Sequence, residues 1–385
     1  MVHEKLRLSL DNFSFEGLKA QLRRVERFII PVVIVAILKI LVFSWVQLAI
    51  NWHPDNFSFK FWWETFTIWD GGWYNLIAQY GYETIPLATP LPMEQTFAFQ
   101  PLFPATIRGL GLLIGNFTAS QVILNSIFGI TWIPLFQLVA EQYLDSDQAF
   151  SVTIVASLFP TIFLFTSVGY NEGLFLTLVL ASYYLHLKRR HLYASLLVAA
   201  ASLTRLLGIL LMVPMILDSA RNRRFREALL YTLPVLAVAA WFCYGYLKTG
   251  NFFVVLEAQK YWGYRRFPTQ YVLPTFFQTN PPFPFNLPFT EAFVGLAICF
   301  VAIFFLLILK IRELDWKLAI YSILTFVFVV CIGNILSYPR YFSFIFPVWF
   351  LFRTKKNYWL IPIILVLAFT DLISMYLFAR WVFLG

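Results

Sequence analysis

Residues 68–83 read IWDGGWYNLIAQYGYE, an aspartate among aromatic side chains next to two glycines. A carboxylate in such a loop can take a proton from an attacking hydroxyl. Asp70 also fits a plainer role. Asp-Gly-Gly marks a turn, Asp is a favoured helix cap, and Trp73 to Tyr80 reads as a short amphipathic helix ending at Gly81. A cap accounts for Asp70 but not for Gly71 and Gly72, each of which weakens a helix start by ~1 kcal/mol relative to Ala. The expectation is that these glycines leave open space beside the carboxylate. Tyr74, four residues on, shares the face of Asp70. Trp69 and Trp73 offer flat apolar surfaces suited to sugar rings.

Isolated charges inside apolar stretches form a second set, and such charges are rarely idle. Glu172 is the sole charged residue between 151 and 187, Arg205 between 192 and 217, Arg340 between 318 and 352, and Lys39 between 28 and 50. Glu172 suits a helix start, and Arg340 an interfacial position beside Tyr338 and Tyr341. Arg205 lies deeper and calls for a pocket or an ion pair. Arg205, Arg340, Arg265 and Arg266 are candidates to hold a phosphate, which arginine binds in a bidentate manner. Lys39 and Asp371 sit at similar depth in the first and last apolar stretches, so a structural Lys39–Asp371 pair is expected.

The elements that position these residues are membrane helices. The 385 residues are 60% hydrophobic and 13% charged, with 43 Phe and mean hydropathy +0.71; soluble domains carry about 25% charge. The fold class read from this is all-α, a polytopic transmembrane bundle of about 9–11 helical segments. The net charge of +9 is not a nucleic-acid signal. Its basic residues cluster between apolar runs, at 188, 221, 310 and 353, in the positive-inside pattern. Cys243, Cys299 and Cys331 lack metal or redox spacing and read as buried small hydrophobes. No cleavable signal peptide is evident.

The expected organisation is an amphipathic stretch at 1–27 on the cytoplasmic face, then one transmembrane domain at 28–385. Within it, 51–118 is an outer loop region bearing short helices and the Asp70 motif, and 248–290 is a second outer loop. Apolar stretches fall at 28–50, 119–141, 150–167, 170–187, 192–217, 227–247, 291–310, 317–335, 341–352 and 358–383. If 192–217 crossed once, the basic clusters at 188 and 221 would lie on opposite sides. The charge rule therefore requires it to enter and return, with a break near Thr204–Gly208.

The motifs as a set resemble the PIG-V-like mannosyltransferases, of the GT-C class of membrane glycosyltransferases. WDGGWYNLIAQYGY resembles that family's W-D-x-x-x-Y…I-A-x-x-G-Y signature. FAFQPLFP (97–104), with Gln100, is similar to its F-x-P-L-[YF]-P segment. FPTIFLFTSVGYNEGLFLTL (159–178), with Tyr170, Asn171 and Glu172, resembles its Y-[ST/N]-E-[SG]-L-F stretch. LTRLLGIL (203–210) resembles T-R-x-x-G, EAQKYWGY (257–264), with Gln259 and Trp262, a Q-x-x-W loop, and SYPRYFSFIFP (337–347) a late R-[YI]…P motif. They occur in family order over about residues 60 to 350.

The resemblance implies inverting transfer of a hexose, mannose in that family, from a polyprenyl-phosphate donor on the outer or lumenal face. Asp70 would be the general base, Glu172 would position the acceptor or tune Asp70, and the donor phosphate would lie near Arg205 or Arg340. The remaining substrate-binding candidates are Trp69, Trp73, Tyr74, Gln100, Tyr170, Asn171, Gln259, Trp262 and Arg265. The expected partners are the lipid-linked sugar, a lipid or glycan acceptor and the membrane. No cofactor or metal is expected: no DxD, P-loop or GxGxxG motif is present, and the four His are scattered. The eukaryotic relatives act on a GPI precursor and are longer, so this chain looks like a prokaryotic-type member. Sequons at Asn12, Asn56 and Asn116 carry little information. The competing readings are a GT-C transferase for another sugar, and a transporter or flippase. Transport would favour inverted hydropathy repeats, and no convincing repeat is found.

Overall fold

Apolar runs bounded by proline, glycine and basic residues fold here into helices of very unequal length. The computed structural model describes residues 15–51, 61–86, 91–262, 302, 304–332, 337–353 and 359–380, and among these the sole β feature is an isolated bridge between Ile85 and Leu91. The class is all-α. Among the described residues four helical stretches are long and apolar enough to cross a membrane: Val25–Asn51, Phe117–Ala140, Phe225–Thr249 and Leu360–Ala379.

Helix α1 (Phe15–Asn51) is continuous. The basic stretch runs into the first apolar span, which begins at Val25, without a break, because it is rich in Leu, Arg, Lys and Gln, all good helix formers. Short helices α2 (Trp62–Thr65), α3 (Asp70–Tyr80), α4 (Met93–Thr96) and α5 (Leu102–Ile114) follow. Next comes α6 (Phe117–Ala140), capped by Asn116, whose side chain accepts from Ala119 N at 2.8 Å.

The stretch 150–167, expected as one span, is two helices, α7 (Ser146–Ser157) and α8 (Pro160–Phe165). Pro160 cannot continue a helix that reaches it. Helix α9 (Glu172–Leu187) is followed by the predicted re-entrant element. Its components are α10 (His191–Thr204), an extended Arg205 (φ −148°, ψ 132°), a 3-10 segment Leu206–Leu211, and α11 (Met212–Arg221). The chain does return: His191 Nε2 lies 2.9 Å from Glu227 Oε2 and 3.3 Å from Arg224 Nη1.

Helices α12 (Phe225–Leu230), α13 (Leu233–Thr249), α14 (Val254–Glu257), α15 (Trp316–Ile332), α16 (Tyr338–Ser343) and α17 (Leu360–Ala379) follow. The stretch 341–352 is not a span but the end of α16 plus a 3-10 segment Phe346–Phe352 with Pro347 in its first turn. Most of the expected second outer loop, and most of 291–310, lies outside the described residues. Cys243 and Cys331 are exposed, not buried as expected. On apolar helices of a bundle the outer surface is itself apolar, so hydropathy does not separate it from the core.

Helices α6 and α9 pack closely because glycines remove the side chains between them. A Cβ on Gly173 would sit 2.6 Å from Asn125 Oδ1 and 2.7 Å from Gly129 N, and one on Gly129 would sit 1.9 Å from Thr166 O, at the end of α8. Lipid is as apolar as a leucine core, so close van der Waals packing and hydrogen bonds hold such a crossing. Helix α9 then spans about 24 Å of axial rise over its 16 residues. Glu172 begins it. Its far end, at His186, joins Asp218 and Tyr231. The basic clusters at 188, 221 and 310 gather at that far end, where Lys317 approaches Asp218 and Arg221 lies over Trp316.

Candidate active site

Helix α3 begins at Asp70, three residues earlier than predicted, because the chain turns sharply at Trp69. Trp69 has φ 56° and ψ −127°, a backbone conformation that costs a side-chain-bearing residue roughly 1–3 kcal/mol. The turn makes Asp70 the first helical residue. Its backbone N–H donates to Tyr170 Oη at 3.3 Å, and its carboxylate points to Arg340 instead of capping its own helix. Gly71 is not open space. A Cβ there would lie 3.0 Å from Gly169 O, so this glycine permits α3 to pack on the loop before α9; at Gly72 the nearest atom would be 3.9 Å away.

Arg340 and Glu172 complete the centre. Arg340 Nη1 is 3.0 Å from Asp70 Oδ2, while its Nε and Nη2 are 2.6 and 2.5 Å from Glu172 Oε1. Arg205 Nη1 donates to the same Glu172 oxygen and, at 3.2 Å, to Asn171 Oδ1. The four groups form a neutral chain, Asp70–Arg340–Glu172–Arg205. Glu172 is fully buried, the Arg340 side chain is 3% exposed and that of Asp70 is 23% exposed. Removing an ion from water costs several kcal/mol and is offset only by good pairing, so each buried member depends on its neighbours. The Arg340 guanidinium lies 4.5 Å from the Phe165 ring and 4.7 Å from that of Tyr170. Tyr341 lies against both arginines, 5.7 Å from Arg340 and 5.0 Å from Arg205.

A polar face of α6 holds the loop that carries Tyr170, Asn171 and Glu172. Gln121 Nε2 donates to Gly71 O at 2.7 Å and also to Gly169 O. Asn125 Nδ2 donates to Phe165 O and Val168 O, and its Oδ1 accepts from Gly173 N. Gln121, Asn125 and Gly129 recur every four residues and so share one helix face. That periodicity inside an apolar span was the available signal, and the sequence analysis missed it.

Lys39 serves the same loop. Its Nζ donates to Thr166 O (2.9 Å), Thr166 Oγ1 (3.0 Å) and Gly129 O (3.3 Å). The expected Lys39–Asp371 ion pair does not form. Helices α1 and α17 do pack together, but Lys39 is turned onto α6 and the end of α8, and both oxygens of the buried Asp371 accept no hydrogen bond.

A cavity of about 130 Å³ opens beside this chain of charges. Asp70, Tyr74, Gln100, Asn171, Arg205, Gln259 and Arg340 all line it, as does Tyr341, which the sequence analysis did not single out. Gln259 is fixed by a 3.0 Å bond to Ala98 O. Leu206, Leu207, Phe328 and Val329 form an apolar wall. Tyr170 and Glu172 stand behind the lining. Trp69 and Trp73 do not line the cavity: Trp69 packs on the main apolar core, and Trp73 stacks on Phe99 at 5.8 Å. The side chain of Trp262, and Arg265 and Arg266 entirely, fall outside the described residues. Among the described residues no group of three His, Cys, Asp or Glu could hold a metal ion. The guanidinium of Arg340 occupies the place between the two site carboxylates.

No protein-family model and no curated protein matches the sequence. Solved structures do. The crystal structure of ArnT from Cupriavidus metallidurans bound to undecaprenyl phosphate matches with a TM-score of 0.50 at 16% identity, over 81% of this chain and 59% of that one. The fold is that of the GT-C membrane glycosyltransferases. The apo form of the same ArnT gives a TM-score of 0.48 at 14% identity, over 80% of this chain and 70% of that one. The archaeal oligosaccharyltransferase AglB from Archaeoglobus fulgidus, in complex with an inhibitory peptide and a dolichol-phosphate, gives 0.46 at 12% identity, over 92% of this chain and 55% of that one. Within this fold, Asp70 opens a short helix in the segment between the first two long helices.

Proposed function

We propose that this chain is an inverting glycosyltransferase that moves a hexose from a polyprenyl-phosphate donor to a lipid or glycan acceptor. Mannose is the sugar favoured by the motif resemblance. The observation that carries the reading is the Asp70 carboxylate, which faces a cavity with one oxygen held by Arg340 and the other, Oδ1, without a hydrogen-bond partner among the described residues. The acceptor O–H gives its proton to Asp70. Its oxygen attacks the anomeric carbon, and the bond from that carbon to the phosphate oxygen breaks with its electron pair, releasing polyprenyl phosphate. Arg340, held by Glu172, fixes the orientation of the base. Tyr74, Gln100 and Gln259 supply hydroxyl and amide groups for the sugar or acceptor.

The basic end of the bundle belongs in the cytoplasm by the positive-inside rule. The cavity sits at the opposite end of α9, which supports an active site open to the exterior, or to the lumen in a eukaryote. Positive charge between the two carboxylates comes from Arg340, so transfer requires no metal and continues in EDTA.

The test uses purified protein with labelled polyprenyl-phosphate mannose and membrane lipid extract. The wild type forms labelled glycolipid, GDP-mannose alone gives none, and Asp70→Asn lowers the rate by about 10²–10⁴-fold while remaining monodisperse. Appreciable turnover by Asp70→Asn removes the assigned base, and turnover with the nucleotide sugar removes the assigned donor.

A further inference from the structure

Two turns at the basic end of the bundle repeat one another. Between α9 and α10, Arg189 has φ 58°, its N–H donates to His186 O at 2.9 Å, and the N–H of Arg190 donates to Leu185 O at 2.8 Å. Between α11 and α12, Arg223 has φ 57°, its N–H donates to Ala220 O at 2.9 Å, and the N–H of Arg224 donates to Ser219 O at 2.8 Å. Both arginines occupy the left-handed position where a helix end usually carries glycine. Buried side chains clamp the two turns side by side: His191 meets Arg224 and Glu227, and His186 meets Asp218.

The same clamp spends the nearby acids. Asp218 is taken by His186, Arg224 and Lys317, Glu227 by His191 and Arg224, and Asp315 by Lys317. Lys188, Arg189, Arg190, Arg221, Arg223 and Arg226 are exposed and have no carboxylate in ion-pairing distance among the described residues. Directly after each turn the chain exposes apolar side chains instead, Leu192 and Tyr193 on α10, Phe225 and Leu229 on α12. Cations at the tips with bare apolar surface beside them suit an amphiphile with an anionic head. A free phosphate would have no use for that apolar surface.

We infer that the paired turns 188–190 and 221–223 form a binding site for the headgroup of an acidic phospholipid. The lipid belongs to the leaflet this end reaches, the cytoplasmic one in the orientation proposed above. Its phosphodiester oxygens accept from the guanidinium forks, and its acyl chains lie on the exposed apolar residues of α10 and α12. The clamp holds both turns so that one headgroup is met from two sides. The positive-inside rule asks only for charge at this end; the site asks for these arginines. It is independent of sugar transfer.

Native mass spectrometry of the purified full chain in neutral detergent measures binding of phosphatidylglycerol, phosphatidylcholine and glycerol 3-phosphate, offered separately. The wild type binds phosphatidylglycerol at least about tenfold more tightly than phosphatidylcholine, and glycerol 3-phosphate more weakly than phosphatidylglycerol. The double variant Arg189→Gly/Arg223→Gly loses most of that preference. Glycine suits the left-handed backbone, so the melting temperature stays close to that of the wild type. If this variant is not monodisperse, Arg189→Asn/Arg223→Asn decides in the same way, since asparagine also tolerates that conformation. The control, Arg27→Gln/Arg353→Gln, removes the same two charges from arginines already paired with Asp147 and Glu313, and keeps the preference within about twofold of the wild type. Equal losses in the variant and the control would reduce the effect to diffuse charge and overturn the site. Equal wild-type affinity for the two phospholipids, or glycerol 3-phosphate binding as tightly as phosphatidylglycerol, overturns it as well.

Discussion

The molecule contains two buried networks of charged and polar side chains, one at each end of α9, and they are built differently. At the cavity end, Asp70, Arg340, Glu172 and Arg205 alternate in sign, and two members keep unfilled hydrogen-bonding capacity toward a void: Asp70 Oδ1 and one edge of Arg205. At the basic end, Tyr231 Oη is shared between His186 Nδ1 (2.7 Å) and His191 Nδ1 (3.2 Å), and Asp218 meets His186, Arg224 and Lys317. That second network ties α9, α10, α11, α12 and α15 together, and the described cavity does not reach it. Buried charge alone therefore does not mark a site. Charge with unspent donors or acceptors beside a cavity does, while closed circuits of the same residue types fasten helices.

The contrast is most sharply broken at Glu172. Glu172→Leu leaves two buried guanidiniums without their carboxylate and destabilises the fold by about 3–5 kcal/mol, with complete loss of transfer. Replacing Glu172 and Arg205 together by leucines is expected to restore much of the melting temperature and none of the activity; recovery of activity would show that the charges are mere fasteners. The next largest effect is at Asn125, which holds three backbone groups of the loop. Asn125→Leu costs about 1–3 kcal/mol by leaving buried groups unpaired, and lowers kcat more than it raises KM. Lys39→Met acts on the same loop by about 1–3 kcal/mol. Its kcat falls with KM for the lipid donor unchanged, and a change in KM alone would place Lys39 elsewhere in the mechanism. The smallest effect is at the basic end: Tyr231→Phe lowers stability by roughly 0.5–1.5 kcal/mol and leaves kcat/KM as in the wild type. Loss of transfer in a stably folded Tyr231→Phe protein would erase the distinction between the two networks.

Much of this architecture was legible in the chain. The break at Arg205 followed from two basic clusters that had to share one side of the membrane, and the structure puts His191 against Glu227 and Arg224 as that logic demands. Glu172, Arg205 and Arg340 were visible because a charge in an apolar run stands out. That the two arginines share one chamber with Asp70 was expected from the threading and is found; the direct ion pairs that link the four were not foreseen, since axial register between helices is set by contacts distant in sequence. The same limit explains the Lys39–Asp371 error: similar depth in adjacent helices says nothing about which way a side chain turns. Gln121 and Asn125 passed unnoticed because they are uncharged, although their spacing from Gly129 was in plain view. Gly71 was misread because two glycines beside a carboxylate look the same from sequence whether they border a void or a tightly packed backbone.

Helix α9 carries one more consequence. Its 16 residues rise about 24 Å, against roughly 30 Å for the hydrocarbon thickness of a bilayer. In the proposed orientation, with its far end at the cytoplasmic boundary, Glu172 and the groups it holds would come to rest several ångströms beneath the opposite surface. For the reaction proposed here, that recess starves the reacting carbon of competing water, so a sugar brought to it is passed on to an alcohol and not squandered by hydrolysis.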